Sequence, residues 1–508
     1  MCGILCFISP NNHDLNKFCS DINHRGPDHS NISSFRLGKD SSIHFIVTQL
    51  MIVGKEPFPI LTPVSNQNII DKHNFLIGNI EIYNYNDIYD IYLKDEFQWE
   101  PDYSDAHILL PLLQKLKQKS LSITEAFEKT LNLIQGDYAL AILLEQRYLL
   151  FARDPIGIRP LYYVFENRSS FAFASETRSL TELGYSFNQI NAVKPGDYTI
   201  LDLEETENLI PWYHLENNLP NLSQLRISLS NGKVKDSNSS TDYLLKLLLN
   251  SVSYHVPSNN FGLFLSGGID SSLILGILLN LKKEKSFKAI SVGFKDSSDV
   301  IYAQRLCEYT GIGLEKVIIN TNDIENALKI IVPLLKTRNG KVNTVDISIA
   351  LPIYFASKKS HELGYKVALS GQGADELFIG YNKYFEEDLI KNNKKLLDKV
   401  NKDLIYIATQ NLERDDLVSM YWSIELRFPY LSMEVIKWVF SLNVNVLSKV
   451  NTTNRKELLR NVAAKLNLPD FIVTRQKKAA QYGTSIMKNL QLLAKPYNSV
   501  NDYLESFI

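Results

Sequence analysis

The chain has 508 residues, with 54 Lys+Arg against 56 Asp+Glu and 45% hydrophobic residues. That length predicts two or three domains, and the composition excludes wholesale disorder. A net charge of −2 provides no basic stripe for nucleic-acid phosphates.

Four cysteines at irregular spacing (Cys2, Cys6, Cys19 and Cys307) fit neither a disulfide framework nor a zinc site. They point to a reducing compartment. The longest apolar run, Leu273 to Leu281, is far short of the roughly 18–20 residues of a bilayer span. The apolar start Met1 to Ile8 has no basic leader and reads as a first β-strand. A cytoplasmic protein without a membrane partner is expected.

In chain order, the first half alternates short strands with turns. Strands are predicted at Asn74–Tyr83, Tyr138–Leu144, Tyr148–Ala152, Pro160–Val164 and Phe171–Ala174. Helical spacing covers Ala106–Leu116 and Ser122–Leu133. Strands with segregated helices imply an α+β domain over residues 2–205. A polar stretch, 206–239, reads as a linker. Ser240 or Thr241 then caps a helix carrying Leu244, Leu247, Leu248 and Val252. Strands at Phe261–Leu265, Lys288–Phe294, Glu315–Ile319 and Lys366–Leu369 alternate with helices. That alternation predicts an α/β doubly wound parallel sheet within a second domain, 240–508, whose end from Asp375 is mostly helical.

The strongest local signal is Leu265-Ser266-Gly267-Gly268-Ile269-Asp270-Ser271-Ser272. A buried strand ends in two glycines and a helix begins. Backbone N–H groups and the helix N-terminus then suit phosphate oxygens, and Asp270 is placed to hold Mg²⁺ against them. It is neither of the two common glycine-rich nucleotide loops. A second strand leads into Ser370-Gly371-Gln372-Gly373-Ala374-Asp375-Glu376. In an open parallel sheet the two loops share one crevice, which makes Asp375 a second metal or pyrophosphate ligand. At the other end, a small residue after Met1 permits Met removal. Cys2 would then carry both a thiol and an α-amine of pKa ~7.7–8.0, a nucleophile and base on one residue.

These runs together resemble asparagine synthetases. S-G-G-x-D-S-S followed by S-G-x-G-x-D-E is similar to the family's ATP-pyrophosphatase domain, as are Glu425-Leu426-Arg427-Phe428-Pro429-Tyr430-Leu431 and Lys456 in Arg455-Lys456-Glu457. His24-Arg25-Gly26-Pro27-Asp28, Gly136-Asp137-Tyr138-Ala139, Arg153-Asp154-Pro155-Ile156-Gly157 and Ala174-Ser175-Glu176 resemble N-terminal-nucleophile glutamine amidotransferases. The resemblance covers nearly the whole chain in the family's domain order. It implies a glutaminase domain of layered antiparallel sheets, then a ligase domain that uses ATP and Mg²⁺ with glutamine and aspartate as substrates. Homo-oligomers are compatible with it.

The resemblance also assigns sites. Cys2, Asn79 and Lys456 would be catalytic. Gln49, Val53, Asn79, Ile80, Glu81 and Asp105 would surround glutamine. Leu265, Ser266, Gly267, Gly268, Asp270, Ser271, Val292, Ser370 and Gly371 would contact ATP, Gln372 would serve the ammonia step, and Asp270 and Asp375 the metal. Three positions depart from the family pattern. Gln49 stands where the family has a carboxylate-clamping arginine, a change worth roughly tenfold in binding. Ile80 replaces a glycine, which raises the question of backbone strain. Gln372 replaces a glutamate and cannot accept a proton, where general-base help is worth about 10²–10⁴. With Lys477 to Gly483, these place the chain nearer the family's divergent, asparagine synthetase domain-containing members. Two other readings follow: amidation or cyclisation of another carboxylate, or a non-catalytic paralogue acting as a binding or scaffold protein.

Overall fold

A computed structural model of the chain describes residues 2–508 apart from 10–13, 38–40, 64–69, 120–121, 168–169, 205–210, 216–236, 387–388, 390–391 and 443–454. It divides into two compact units, 1–219 and 220–508.

In the first unit, Cys2–Ser9 is buried along its whole length. Its alternate residues face two different cores, as strand alternation requires. Cys2, Ile4, Cys6 and Ile8 pack in the large core with Phe75 and Ile77, while Leu5 and Phe7 pack with Phe18 and Leu180. The strand lies inside a six-stranded sheet ordered Asn191–Ala192, Tyr162–Asn167, Ser170–Ala174, Cys2–Ser9, Ser41–Gln49, His29–Leu37. A second six-stranded sheet runs Trp212–His214, Asp197–Asp202, Tyr148–Arg153, Gly136–Leu144, Ile70–Ile82, Ile60–Pro63. The pairings in both are antiparallel. Helix Ile123–Leu133 starts where its sequence says, with Ser122 and Glu125 forming a reciprocal capping box.

Two details differ from the sequence expectation. The helix expected from Ala106 opens as a 3₁₀ turn, Asp105–Ile108, before Leu109–Gln118. Trp212–His214, within the stretch read as linker, pairs with Asp197–Thr199 as an edge strand. Residues 206–210 and 216–236 of that stretch lie outside the described residues.

The second unit holds a five-stranded parallel sheet ordered Leu314–Ile318, Phe287–Gly293, Phe261–Phe264, Val367–Leu369, Glu425–Arg427. The four expected strands are present within a residue or two. The fifth, Glu425–Arg427, is a strand that hydropathy misses. Its two charged residues are fully buried and bonded to each other, Arg427 Nε donating to Glu425 Oε1 at 2.7 Å. Ser240 and Thr241 do not cap a helix: they are buried inside Ser237–His255. No helix among the described residues is long and apolar enough to cross a membrane.

Candidate functional sites

The strand order of the parallel sheet reverses between Phe261–Phe264 and Val367–Leu369. Loops leaving the carboxyl ends of those two strands therefore meet in one crevice. They touch closely: a Cβ on Gly371 would lie 3.1 Å from Asp270 Cβ and 3.1 Å from Ser271 N. Gly267 turns the first loop at φ +67°, where a Cβ would lie 2.6 Å from Tyr302 Cβ, so only glycine fits. Ser266 Oγ accepts from the Gly268 N–H at 3.2 Å, and Ser271 Oγ from the Ser266 N–H at 3.2 Å. The 12-residue helix Ile269–Asn280 starts directly on the loop.

A cavity of about 460 Å³ opens there. Leu265, Ser266, Gly268, Asp270, Ser271, Val292, Ser370, Gly371, Gln372, Asp375 and Lys456 all line it. Of the expected nucleotide contacts only Gly267 does not, since it is spent on the turn. Within the cavity Lys456 Nζ lies 2.7 Å from both carboxylate oxygens of Asp270 and 2.5 Å from Asp375 Oδ1. Lys477 Nζ pairs with Asp375 Oδ2. Burial alone would raise the Asp375 carboxyl, but Lys456 and Lys477 outweigh it and hold it down at about 2. Asp270 is pushed up by burial, and by the charge of Asp375 against the pull of Lys456. Burial would lower the Lys456 ammonium, yet the two carboxylates raise it. Two carboxylates already gathered round a cation beside a phosphate-type loop suit Mg²⁺, which binds through one or two carboxylates plus substrate phosphates.

Three further residues support this cluster. Gly380 passes so near that a Cβ would lie 2.0 Å from Asp375 Oδ1 and 2.4 Å from Lys456 Cε. Arg475 donates to the Ser266 carbonyl and to Asp299 Oδ1, both at 2.7 Å, and so braces the loop. Lys477 is the third. Arg475 is the one of the three that the sequence reading did not mark: it is distant in sequence from the loop it braces, and no local pattern points to it.

In the first unit, Cys2 pairs directly opposite Gln49 in the sheet. Its N–H donates to Asn79 Oδ1 at 3.3 Å. Asn79 is 1% exposed and its Nδ2 has no hydrogen-bond partner, an uncommon state for a buried donor. Asp105 Oδ2 accepts from the N–H of Ile82, three residues along the same strand. Glu81 is buried and Val53 half-buried. Gln49 Oε1 accepts from the Phe58 N–H at 2.8 Å.

The strain anticipated at Ile80 is absent. It is an ordinary strand residue opposite Tyr138 and has no positive φ. Its side chain folds over Gly78, where a Cβ would lie 2.3 Å from Ile80 Cδ1. Beneath Cys2, Glu176 Oε1 takes His24 Nε2 and Arg25 Nη1, each at 2.9 Å, while Arg25 Nε donates to the Cys2 carbonyl at 3.4 Å. Burial would raise Glu176, but His24 and Arg25 pull it down to about 2.

The asparagine synthase family model matches residues 244–404 and 400–499, and the glutamine amidotransferase domain model matches 1–210. A Methanocaldococcus jannaschii protein assigned as a glutamine-hydrolysing asparagine synthetase is 30% identical over 99% of this chain and 98% of its own. The glutamine-hydrolysing asparagine synthetase B of Escherichia coli is 26% identical, over 90% of this chain and 76% of its own. The chicken enzyme of the same name is 25% identical, over 96% and 85%. The chain belongs to the asparagine synthase family.

Proposed function

We propose that residues 2–205 hydrolyse glutamine and residues 240–508 use ATP and the released ammonia to convert aspartate to asparagine, AMP and pyrophosphate. The observation that carries this reading is the crevice in which two glycine loops, two carboxylates and a buried lysine converge. Asp270, Asp375 and Lys456 all line it, which counts against a non-catalytic scaffold.

In the glutaminase half, the Cys2 thiol gives its proton to the residue's own α-amine and attacks the glutamine amide; the C–N bond breaks, ammonia leaves with that proton, and water then frees glutamate from the thioester. Asn79 Nδ2 donates to the oxyanion that forms. Asp105 takes the substrate α-amine, and Gln49 presents a neutral amide to its carboxylate. In the ligase half, an aspartate carboxylate oxygen bonds to the α-phosphorus and the bond to pyrophosphate breaks. Lys456 offsets charge on the phosphorus. Asp270 and Asp375 are the residues that would hold Mg²⁺, which supplies charge neutralisation to the phosphates. Ammonia then attacks the acyl carbon and AMP leaves. Gln372 orients the amine, and solvent takes the proton.

Cys2→Ala tests the division of labour. Glutamine hydrolysis should vanish while ammonia-dependent asparagine formation continues. Glutaminase activity surviving at the wild-type rate would remove Cys2 as nucleophile.

A further inference from the structure

The turn that carries Asp105 rests on one buried imidazole. Asp105–Ile108 is a single 3₁₀ turn, too short to be held by its own hydrogen bonds. His107, 4% exposed, supplies what the turn lacks. Its Nδ1 lies 3.0 Å from the Ser104 backbone nitrogen. A backbone N–H only donates, so Nδ1 is the acceptor and the ring proton sits on Nε2. The ring also stacks on Tyr103, with centres 4.3 Å apart and planes 7° from parallel. Both residues that lead into Asp105 are therefore fixed by His107.

The same ring faces the segment that carries Val53. The N–H groups of Lys55 and Glu56 donate to the Asp102 carbonyl at 2.8 and 2.9 Å. Gly54 turns at φ +71°, where a Cβ would lie 2.6 Å from Ser104 N, so the two segments are packed backbone to backbone. His107 Nε2 lies 3.5 Å from Glu56 Oε2 and has no hydrogen-bond partner among the described residues. Its proton is left to the field of that carboxylate.

We infer that His107 is a positioning residue of the glutaminase site, which fixes the Asp105 carboxylate for the substrate α-amine and ties its turn to the Val53–Glu56 segment. Asp105 Oδ2 accepts from the Ile82 N–H, on the strand that also carries Asn79. Any shift of the turn thus moves the carboxylate relative to the oxyanion donor. Burial, opposed by the Ser104 carbonyl, holds the His107 ring down at about 4, so it is neutral at neutral pH and can accept at Nδ1. An imidazolium would repel the Ser104 N–H and would set a cation two residues from a carboxylate meant for an ammonium group.

This inference rests on the glutaminase reading above, and its test separates the two. Ammonia release by the full-length protein is measured from glutamine and from glutaramate, which is glutamine without its α-amine. His107→Leu keeps bulk but removes the acceptor. KM for glutamine should rise about tenfold, the loss of one charge-assisted hydrogen bond, with kcat within about twofold. The glutaramate parameters should not change, so the preference for glutamine falls. A general loosening of the domain would weaken both substrates alike. His107→Gln should restore the preference, because a glutamine at this position can accept from the Ser104 N–H in the same capping arrangement. Glu56→Ala, on an exposed side chain, should lower the preference about threefold and keeps the test open if His107→Leu does not fold. An unchanged preference in His107→Leu or, if that variant does not fold, in Glu56→Ala overturns the role of His107. So does an equal loss on both substrates, or failure of His107→Gln to rescue. Asp105→Asn provides the control: if it leaves the preference intact, the α-amine assignment of Asp105 falls and this inference with it. A wild-type protein that releases no ammonia from glutamine overturns the glutaminase reading itself.

Discussion

Asn79→Ala is the sharpest perturbation of the glutaminase half, because the structure predicts that activity and stability will separate. Asn79 is buried at 1% exposure with its Nδ2 unpartnered. Leaving such a donor unpaired costs the fold about 1–3 kcal/mol, and its removal recovers part of that. The substitution also deletes the 3.3 Å bond from the Cys2 N–H to Oδ1, worth about 1 kcal/mol. The two nearly cancel, so the melting temperature should hardly move. Catalysis should respond quite differently. A donor that finds its acceptor only when the oxyanion forms contributes about 2.7–4 kcal/mol, or 10²–10³ in kcat. KM should stay within about threefold, since the contact is absent from the ground state. Glutamate release from glutamine reads the first effect, and ammonia-dependent pyrophosphate release should be unaltered. A kcat within about threefold of wild type, or a loss of activity matched by unfolding, would refute the assignment.

Two further outcomes follow from the same half. Gln49→Arg restores a charge opposite Cys2, and KM for glutamine should fall about tenfold with little change in kcat; an unchanged KM would separate position 49 from the substrate carboxylate. The Glu176 carboxyl is held at about 2 by His24 and Arg25, below its ordinary value near 4.5. Its contribution is fully present above the unfolded pKa and is lost as pH falls from about 4.5 to 2, some 3 kcal/mol in all. Glu176→Gln should flatten that acid limb in urea unfolding of the protein, and parallel limbs would exclude it.

The sequence exposes whatever is local. The glycine loops, their acidic residues, the strand–helix alternation and the Ser122 cap are each written in consecutive residues, and the structure contains them. What depends on distant chain segments is hidden. Glu425–Arg427 carries too much charge to read as a buried strand until the two side chains are seen to satisfy each other. Gly380 stands in the second loop's run, but the run does not say that its missing Cβ is what lets Lys456 and Asp375 approach. Ile80 stands at a glycine position of the family pattern, yet Gly78 two residues earlier makes room for it on the same face. Ser240 and Thr241 look like helix caps because they are polar, but the helix begins earlier and buries them. In each case the folded surroundings changed what the residue could do.

The central claim is that this chain is a working ligase despite Gln372. The measurement that tests it is pyrophosphate release from Mg-ATP, with and without aspartate, supplied with glutamine, ammonium or neither, from pH 7 to 9. Aspartate should elicit pyrophosphate, and asparagine formation with ammonium should rise with pH as free ammonia replaces the base that Gln372 cannot be. Gln372→Glu should raise ammonia-dependent amide formation at pH 7 by about 10² with little change in ATP binding. A protein that binds ATP yet releases no pyrophosphate with aspartate, and is not rescued by Gln372→Glu, would contradict the account.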